Sequence, residues 1–335
     1  MTLNGLKVLI TGGAGFIGSH ITESLVRAGA RVTVYDNFSF GKREHLATVA
    51  DDVEVIEGDI LDREALGRAM QGKELVSHQA AQLEIFLAAA DPHADLRTNT
   101  IGTLNVLALA KQFGVSKVIN ASSACVYGQK EGSVTEEDMP IPNWEYGVSK
   151  LAAERYGTIY STYQDLPVIS LRYGIVYGPR EWYRRVLTIF LKLARDGKDL
   201  VVFGDGEQVR DFINVADVVD LHNRIVVDEV CRGDVFNVGT NVPTSVNQLA
   251  DAVIAATGQP ITVIHESIKE GEFSKLVPEK KRNTAELKLM LLNHDKATRT
   301  FGWQPKVSLI EGLRGEYEWL LSQQNAWQKI HYTVA

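Results

Sequence analysis

The chain has 335 residues, 45% hydrophobic and 23% charged, a balance that fits neither a disordered segment nor a coiled coil; its length suits about two domains, or one large α/β domain with a lobe attached. Thirty-five basic against 42 acidic side chains leave a net charge of −7, which excludes a broadly basic nucleic-acid binder. No apolar run approaches the roughly 20 residues of a membrane helix, Val8-Leu9-Ile10 is too short for a signal peptide, and two cysteines outside any CxxC or histidine cluster support neither a disulfide framework nor a zinc site. The expectation is a soluble, cytoplasmic globular protein with no metal and no membrane or nucleic-acid partner.

Short β-branched runs alternate with helical stretches over the first 120 residues, the pattern of βαβ units around a parallel sheet. In chain order the expected strands are Lys7–Thr11, Arg31–Tyr35, Val53–Ile56, Glu74–His78 and Lys117–Ala121. Further strands are expected at Pro167–Arg172, Leu200–Phe203, Val235–Val238 and Ile261–Ile264. Phe16–Ala28 predicts a helix, with Ile17, Ile21 and Leu25 four apart on one face and Gly29 as its stop. Trp182–Arg195 reads as a helix opening a less regular region, and the charged, poorly periodic segment Lys269–Arg282 reads as a mobile surface loop. The fold class is α/β, a doubly wound parallel sheet with a smaller C-terminal lobe. We expect residues 1–172, with 210–240 returning to them, to form a dinucleotide domain, and 173–209 with 241–335 to form a substrate lobe.

Directly after the first strand, Thr11-Gly12-Gly13-Ala14-Gly15-Phe16-Ile17-Gly18 opens the first helix. Glycines at 12, 15 and 18 permit a tight turn, close approach of the backbone to a pyrophosphate and close helix–strand packing, and the helix N-terminus offers unpaired N–H groups to phosphates. Asp36 follows Gly18 by 18 residues, at the end of the second strand. An acid there accepts hydrogen bonds from the adenosine ribose and repels a 2′-phosphate, so the expected cofactor is NAD. Asp59 suits either the adenine amino group or a helix cap.

Tyr146 and Lys150 are four apart at the start of a helical run, which puts both on one face. A lysine cation stabilises phenolate and draws a group of reference pKa about 10 toward neutrality, so the tyrosine can take a hydroxyl proton while hydride leaves for a nicotinamide. A third partner lies in Asn120-Ala121-Ser122-Ser123-Ala124-Cys125-Val126-Tyr127-Gly128. With these motifs the chain resembles the extended short-chain dehydrogenase/reductases, specifically the NAD-dependent nucleotide-sugar epimerase/dehydratase group. The resemblance runs nearly end to end. It includes Asp36-Asn37, Gly58-Asp59-Ile60, His78-Gln79-Ala80-Ala81, Asn99 with Gly102-Thr103, Arg172-Tyr173, Tyr177-Gly178-Pro179-Arg180, Arg210-Asp211-Phe212-Ile213, Asn237-Val238-Gly239-Thr240 and Gly302-Trp303-Gln304-Pro305.

The resemblance implies transient oxidation of a sugar carbon by bound NAD, with Tyr146 as base, Lys150 as its electrostatic partner and ribose contact, and Ser123 as proton relay. It implies cofactor contacts at Gly12, Gly15, Phe16, Ile17, Gly18, Asp36, Asn37, Asp59, Ile60, Ala80, Ala81, Gln82, Asn99 and Tyr173. It also implies a homodimer through the helix around Asn99–Phe113 and the Tyr–Lys helix. Where the family's dehydratases and decarboxylases resemble one another in carrying carboxylates, this chain has Ala124 and Cys125, so epimerisation of a sugar nucleotide is the leading reading. The run through Cys125 is similar to GDP-mannose 3,5-epimerases, which makes Cys125 a candidate acid/base with a lowered thiol pKa, on the same face as Ser123 if the strand continues.

Family members resembling this chain carry Asn two residues after the Tyr of the Arg-Tyr pair, holding a diphosphate oxygen; here that residue is Ile175, which cannot donate. Substrate anions then fall to Arg210 and to Arg180, Arg184 and Arg185, with Glu84 facing the sugar. His78 reads as a packed core histidine. The alternatives are an NAD-dependent dehydrogenase of a free or phosphorylated sugar or polyol, and a non-catalytic NAD-binding regulator.

Overall fold

The computed structural model describes residues 3–83, 85–181, 185–278, 280–282 and 287–323. In chain order the strands begin with β1 (Lys7–Thr11), β2 (Arg31–Asp36), β3 (Val53–Glu57), β4 (Leu75–His78) and β5 (Lys117–Ser123). Then come β6 (Ser133–Val134), β7 (Val168–Tyr173), β8 (Ile175–Tyr177), β9 (Leu200–Phe203), β10 (Val209–Arg210) and β11 (Phe212–Asn214). The last are β12 (Val235–Val238), β13 (Thr244–Ser245), β14 (Val263–Glu266) and β15 (Leu291–Leu292). The α-helices are α1 (Phe16–Arg27), α2 (Arg63–Met70), α3 (Ile85–Ala90), α4 (Pro92–Asp95), α5 (Thr103–Gln112) and α6 (Glu145–Tyr163). The C-terminal half adds α7 (Val186–Arg195), α8 (Val215–Val227), α9 (Val246–Thr257), α10 (Asp295–Phe301) and α11 (Leu309–Ser322). None of the described helices is long and apolar enough to cross a membrane.

Seven parallel strands form the main sheet in the order β12-β7-β5-β4-β1-β2-β3. Side chains alternate along β1: Val8 and Ile10 pack with Ile21 and Leu25 of α1 and Leu221 of α8, while Leu9 packs with Leu66 of α2 and Leu107 of α5. Helices therefore cover both faces, which is why β5 is buried along its whole length and reads as a continuous rather than an alternating run. A separate apolar core gathers Leu187 and Phe190 of α7, Leu249 and Val253 of α9, and Leu313, Tyr317 and Leu320 of α11 around the β9–β14 pair. Capping boxes at Ser245/Gln248 and Ser308/Glu311 fix where α9 and α11 begin. β11 joins the two cores, because Phe212 enters one and Ile213 the other.

β1, β9 and β12 fall where the β-branched runs place them, whereas β5 continues past Ala121 to Ser123 and β14 is Val263–Glu266. The helix expected from Trp182 is described from Val186, with Arg185 as its extended N-cap; residues 182–184 lie outside the described residues. The segment 269–282 folds inward as well as forming surface. Ser274 and Val277 are buried, Glu266 accepts hydrogen bonds from the Ser274 hydroxyl and from the Lys275 N–H at 2.7 Å, and Arg282 donates to the Ile268 carbonyl at 2.8 Å.

Candidate active site

The order of the sheet reverses between β1 and β4, and a large cavity opens there at the C-terminal ends of the strands, the position where open α/β sheets bind ligands. The glycine loop forms its floor. Gly12 has φ +68°, and a Cβ there would fall 2.6 Å from the Ala80 nitrogen; one on Gly18 would fall 2.1 Å from the Gly12 oxygen. No side chain caps α1, so its first N–H groups face the cavity end of the loop. Asp36 lines the same wall and accepts from Ala14 N–H and Phe38 N–H, each at 2.9 Å; burial raises its carboxyl pKa and these two donors oppose that. Asn37 donates to Asp59 Oδ2 at 3.0 Å. Asp59 itself accepts from Leu61 N–H, and the cap of α2 is Asp62. Gly15, Phe16, Ile17, Ile60, Ala80, Ala81 and Tyr173 complete this half.

Tyr146 lies in the first turn of α6 and Lys150 one turn later, both buried on the helix face that packs against β5 and both lining the cavity. Lys150 Nζ donates to the Ala121 carbonyl at 2.8 Å, and burial lowers its pKa to about 8, opposed by the Asp95 charge. Burial pushes the Tyr146 phenol above its ordinary value and the Cys125 charge adds to this, while Arg185 and a hydrogen bond with Ser123 act the other way. Helix and strand end approach closely because residue 147 is glycine: a Cβ there would stand 2.5 Å from the Cys125 oxygen.

Cys125 lines the cavity, but not as a continuation of the strand. β5 ends at Ser123, whose hydroxyl accepts from Cys125 N–H at 3.2 Å and starts a 3₁₀ turn over Ala124–Val126. The expected lowered thiol pKa is also corrected: burial raises it, against opposing contributions from Ser123, Arg185 and Arg210.

Arg185 and Arg210 line the cavity with Ile175, and Arg210 donates to the carbonyls of Val209 and Leu287 at 2.9 and 2.8 Å. Arg180 does not line it. With φ +72°, its guanidinium turns to Glu23 of α1 at 2.7 Å. Gln82 and Asn99 do not line it either. Asn99 exchanges hydrogen bonds with the Gln82 backbone at 2.9 and 3.0 Å and donates to Asp95 and to Ser149 of α6, so it clamps the 79–83 segment to α6. Glu84 and Arg184 lie outside the described residues.

His78 bridges Thr11 and Thr103 hydroxyls at 2.6 and 2.9 Å, and burial lowers its pKa to about 3, which makes it a neutral core group. Trp144, Gln208, Lys280, Lys281 and Arg282 line the cavity without having been singled out in the sequence. The basic run Lys280-Lys281-Arg282, separated from Val277-Pro278 by Glu279, is the available signal for the last three. No group of three or more potential metal ligands occurs among the described residues.

A family model described as the NAD dependent epimerase/dehydratase family matches residues 8–239. The chain is 34% identical over 316 residues to a UDP-glucose 4-epimerase of Mycolicibacterium smegmatis, covering 92% of this chain and 96% of that protein. The crystal structure of Thermotoga maritima UDP-glucose 4-epimerase with UDP-glucose superposes with a TM-score of 0.85 at 34% identity, covering 95% and 99% of the two chains. The Thermus thermophilus UDP-glucose 4-epimerase in complex with NAD superposes at 0.82 with 33% identity, covering 94% and 98%.

Proposed function

The chain belongs to the NAD dependent epimerase/dehydratase family and is an NAD-dependent epimerase of sugar nucleotides, and from that premise we propose that it inverts carbon 4 of the hexose of a UDP-sugar. The meeting of Ser123, Tyr146 and Lys150 on one cavity wall carries the reading. The glycine cradle, the uncapped start of α1 and the buried carboxylate of Asp36 fit NAD, and exclude from that wall the bulk and charge of a 2′-phosphate. When bound, NAD supplies a hydride acceptor and then a hydride donor for the sugar carbon.

The residues of the chain handle the proton. Tyr146 takes it from the sugar hydroxyl and returns it after the ketone has turned to present its other face. Ser123 hydrogen-bonds the same hydroxyl. Lys150, held by the Ala121 carbonyl, supplies the positive charge that makes phenolate accessible. Neutral Ala124 and Cys125 beside Ser123 leave no carboxylate there to drive elimination of water. In the substrate lobe Arg210, Arg185 and Arg282 meet the diphosphate. The working molecule is a homodimer, supported by the exposed apolar side chains of Leu96, Ile101, Val148, Ile159 and Tyr163 around α6 and the helical stretch before α5.

Incubation of the purified protein with UDP-galactose tests the reading, with UDP-glucose measured as product and small molecules released by acid identified by mass spectrometry. UDP-glucose with near-stoichiometric retained NAD is expected. Ile175 favours one other reading, a dehydrogenase of a sugar without a diphosphate, for which the same experiment gives no UDP-glucose and little retained NAD.

A further inference from the structure

Behind the substrate half of the cavity two acids are buried together. Glu316 of α11 has no exposed surface; among the described residues no side chain hydrogen-bonds its carboxylate, and the Gly178 N–H is the one donor that opposes the rise in its pKa. Glu181, on the segment joining β8 to α7, is 1% exposed, and its charge acts directly on Glu316. Arg185 stands between this pair and the cavity. Its Nη1 is 3.8 Å from Glu181 Oε1 and 3.4 Å from the Val176 carbonyl oxygen, and its side chain lines the cavity closely enough for its charge to reach Cys125 and Tyr146.

Two carboxylates buried side by side oppose each other's ionisation, since each charge must be held in a low-dielectric interior next to the other. The buried side chains that α7, α9 and β11 turn to the lobe core are uncharged. Among the described residues the titratable groups that face the pair include Arg185 and the phenol of Tyr177, whose ring packs on Gly312 one turn before Glu316 and feels the Glu316 charge. Burial and the Glu181 charge both push the Glu316 carboxyl well above the carboxylate range. Arg185, nearer to Glu181, favours the charge on that partner.

We propose that Glu181 and Glu316 hold one proton between them, with Glu181 ionised, and that the Glu181 carboxylate positions the Arg185 guanidinium for the anionic part of the substrate. The meaning of that end of the cavity rests on the function proposed above. Glu181 is thus a positioning residue, and loss of the shared proton at alkaline pH places a second negative charge behind Arg185 and weakens its hold on an anion.

Steady-state kinetics with UDP-galactose and thermal unfolding from pH 5 to pH 9 test this in Glu181→Gln and Glu316→Gln. Glu181→Gln raises KM about tenfold, with kcat within about twofold. The unsubstituted enzyme shows a KM that climbs at alkaline pH, and Glu316→Gln removes the climb. Because a carboxyl raised in the folded state costs stability increasingly above its unfolded pKa, Glu316→Gln also gains melting temperature relative to the parent as pH rises from 5. A Glu181→Gln variant with unchanged KM, or a Glu316→Gln melting curve parallel to the parent's, overturns the proposal. If the parent enzyme itself gives no turnover, the reading of function fails, and the acid pair still stands or falls on the melting curves.

Discussion

Arg172 of β7 and Glu154 of α6 form a buried two-point fork, Nε to Oε2 at 2.9 Å and Nη2 to Oε1 at 2.6 Å. The same carboxylate accepts the Ser122 hydroxyl at 2.9 Å, and Arg172 reaches on to the Tyr127 hydroxyl at 2.7 Å. Glu154 is one turn beyond Lys150 and Ser122 is the neighbour of Ser123, so the fork joins α6 to the end of β5 across the proposed proton relay. Truncation of one partner leaves the other charge buried without its counterpart. Glu154→Ala is expected to cost about 3–5 kcal/mol in urea unfolding and to lower kcat in the fraction that remains folded. A loss below about 1 kcal/mol would show that the fork does not hold the relay together.

Lys150 carries an opposition between stability and activity. Its folded pKa of about 8 is below the unfolded 10.5, so the unfolded chain binds the extra proton between those values, and stability rises as pH passes from 8 to 10.5. At pH 7 the buried cation is a net burden. Lys150→Met is therefore expected to melt at or above the parent temperature at pH 7, to lose that advantage by pH 10, and to lose about 10²-fold or more in turnover. A variant that unfolds more readily at pH 7 would mean that the bond to the Ala121 carbonyl outweighs the burial of the charge.

How far the site could be read from the sequence depended on how local its determinants are. The glycine loop, Asp36 and the Tyr146–Lys150 spacing each act within one βαβ unit or one helical turn, and all three meet at the cavity. The partner of Arg180, Glu23, is 157 residues away, and nothing in the sequence near position 180 announces it. Asn99 lies in a stretch of wide π-helical turns, which no residue periodicity marks, and that geometry aims it at the 79–83 backbone. Cys125 shares a face with Ser123 only if the strand persists, and the Ser123 hydroxyl ends the strand by capping the next turn. The inward fold of this segment rests on Glu266, which holds Ser274 and Lys275, and on the Ile268 carbonyl, which takes Arg282, contacts invisible where composition reads as surface.

The raised thiol of Cys125 separates two isomerisations. A C3 or C5 epimerisation needs a group that gives and takes a carbon-bound proton, and a neutral thiol held up by burial is a poor base. Inversion at C4 needs only the Tyr146 relay. Cys125→Ala should retain interconversion of UDP-glucose and UDP-galactose within about threefold. A loss of about 10²-fold would return the cysteine to the proton chemistry.

Neutral histidines, buried or half-buried, set the acid limit of the fold. His78 and His222 have pKa values lowered to about 3, and His20 and His45 to about 4, burial being the largest cause in each. The unfolded chain binds protons at these rings near pH 6.5 and the folded chain does not, so stability is full above about pH 7 and declines toward pH 4. The two fully enclosed rings, His78 and His222, each contribute on the order of a few kcal/mol to that decline. Urea midpoints measured from pH 7.5 to pH 4.5 should fall steadily. Four of the eight histidine ring signals should show no titration between pH 5 and pH 8 by NMR. A ring of this group titrating near 6.5 would place it in contact with water.

Ile175 gives the sharpest test of where the diphosphate runs. It lines the cavity from the short strand β8, paired in parallel register with Phe212, one residue from Asp211 and two from Arg210. An aliphatic side chain there leaves Arg210 and its neighbours to hold the anion without the amide donor expected at this position. Asn is a weaker strand former than Ile, but a three-residue strand half open to the cavity tolerates the exchange at a cost below about 1 kcal/mol. One added hydrogen bond to a charged oxygen is worth about 1–2 kcal/mol, so Ile175→Asn is expected to lower KM for a UDP-sugar about fivefold to tenfold with kcat unchanged. If KM stays constant while the melting temperature is preserved, the diphosphate does not pass β8. Its anchoring then lies wholly with the arginines of the lobe.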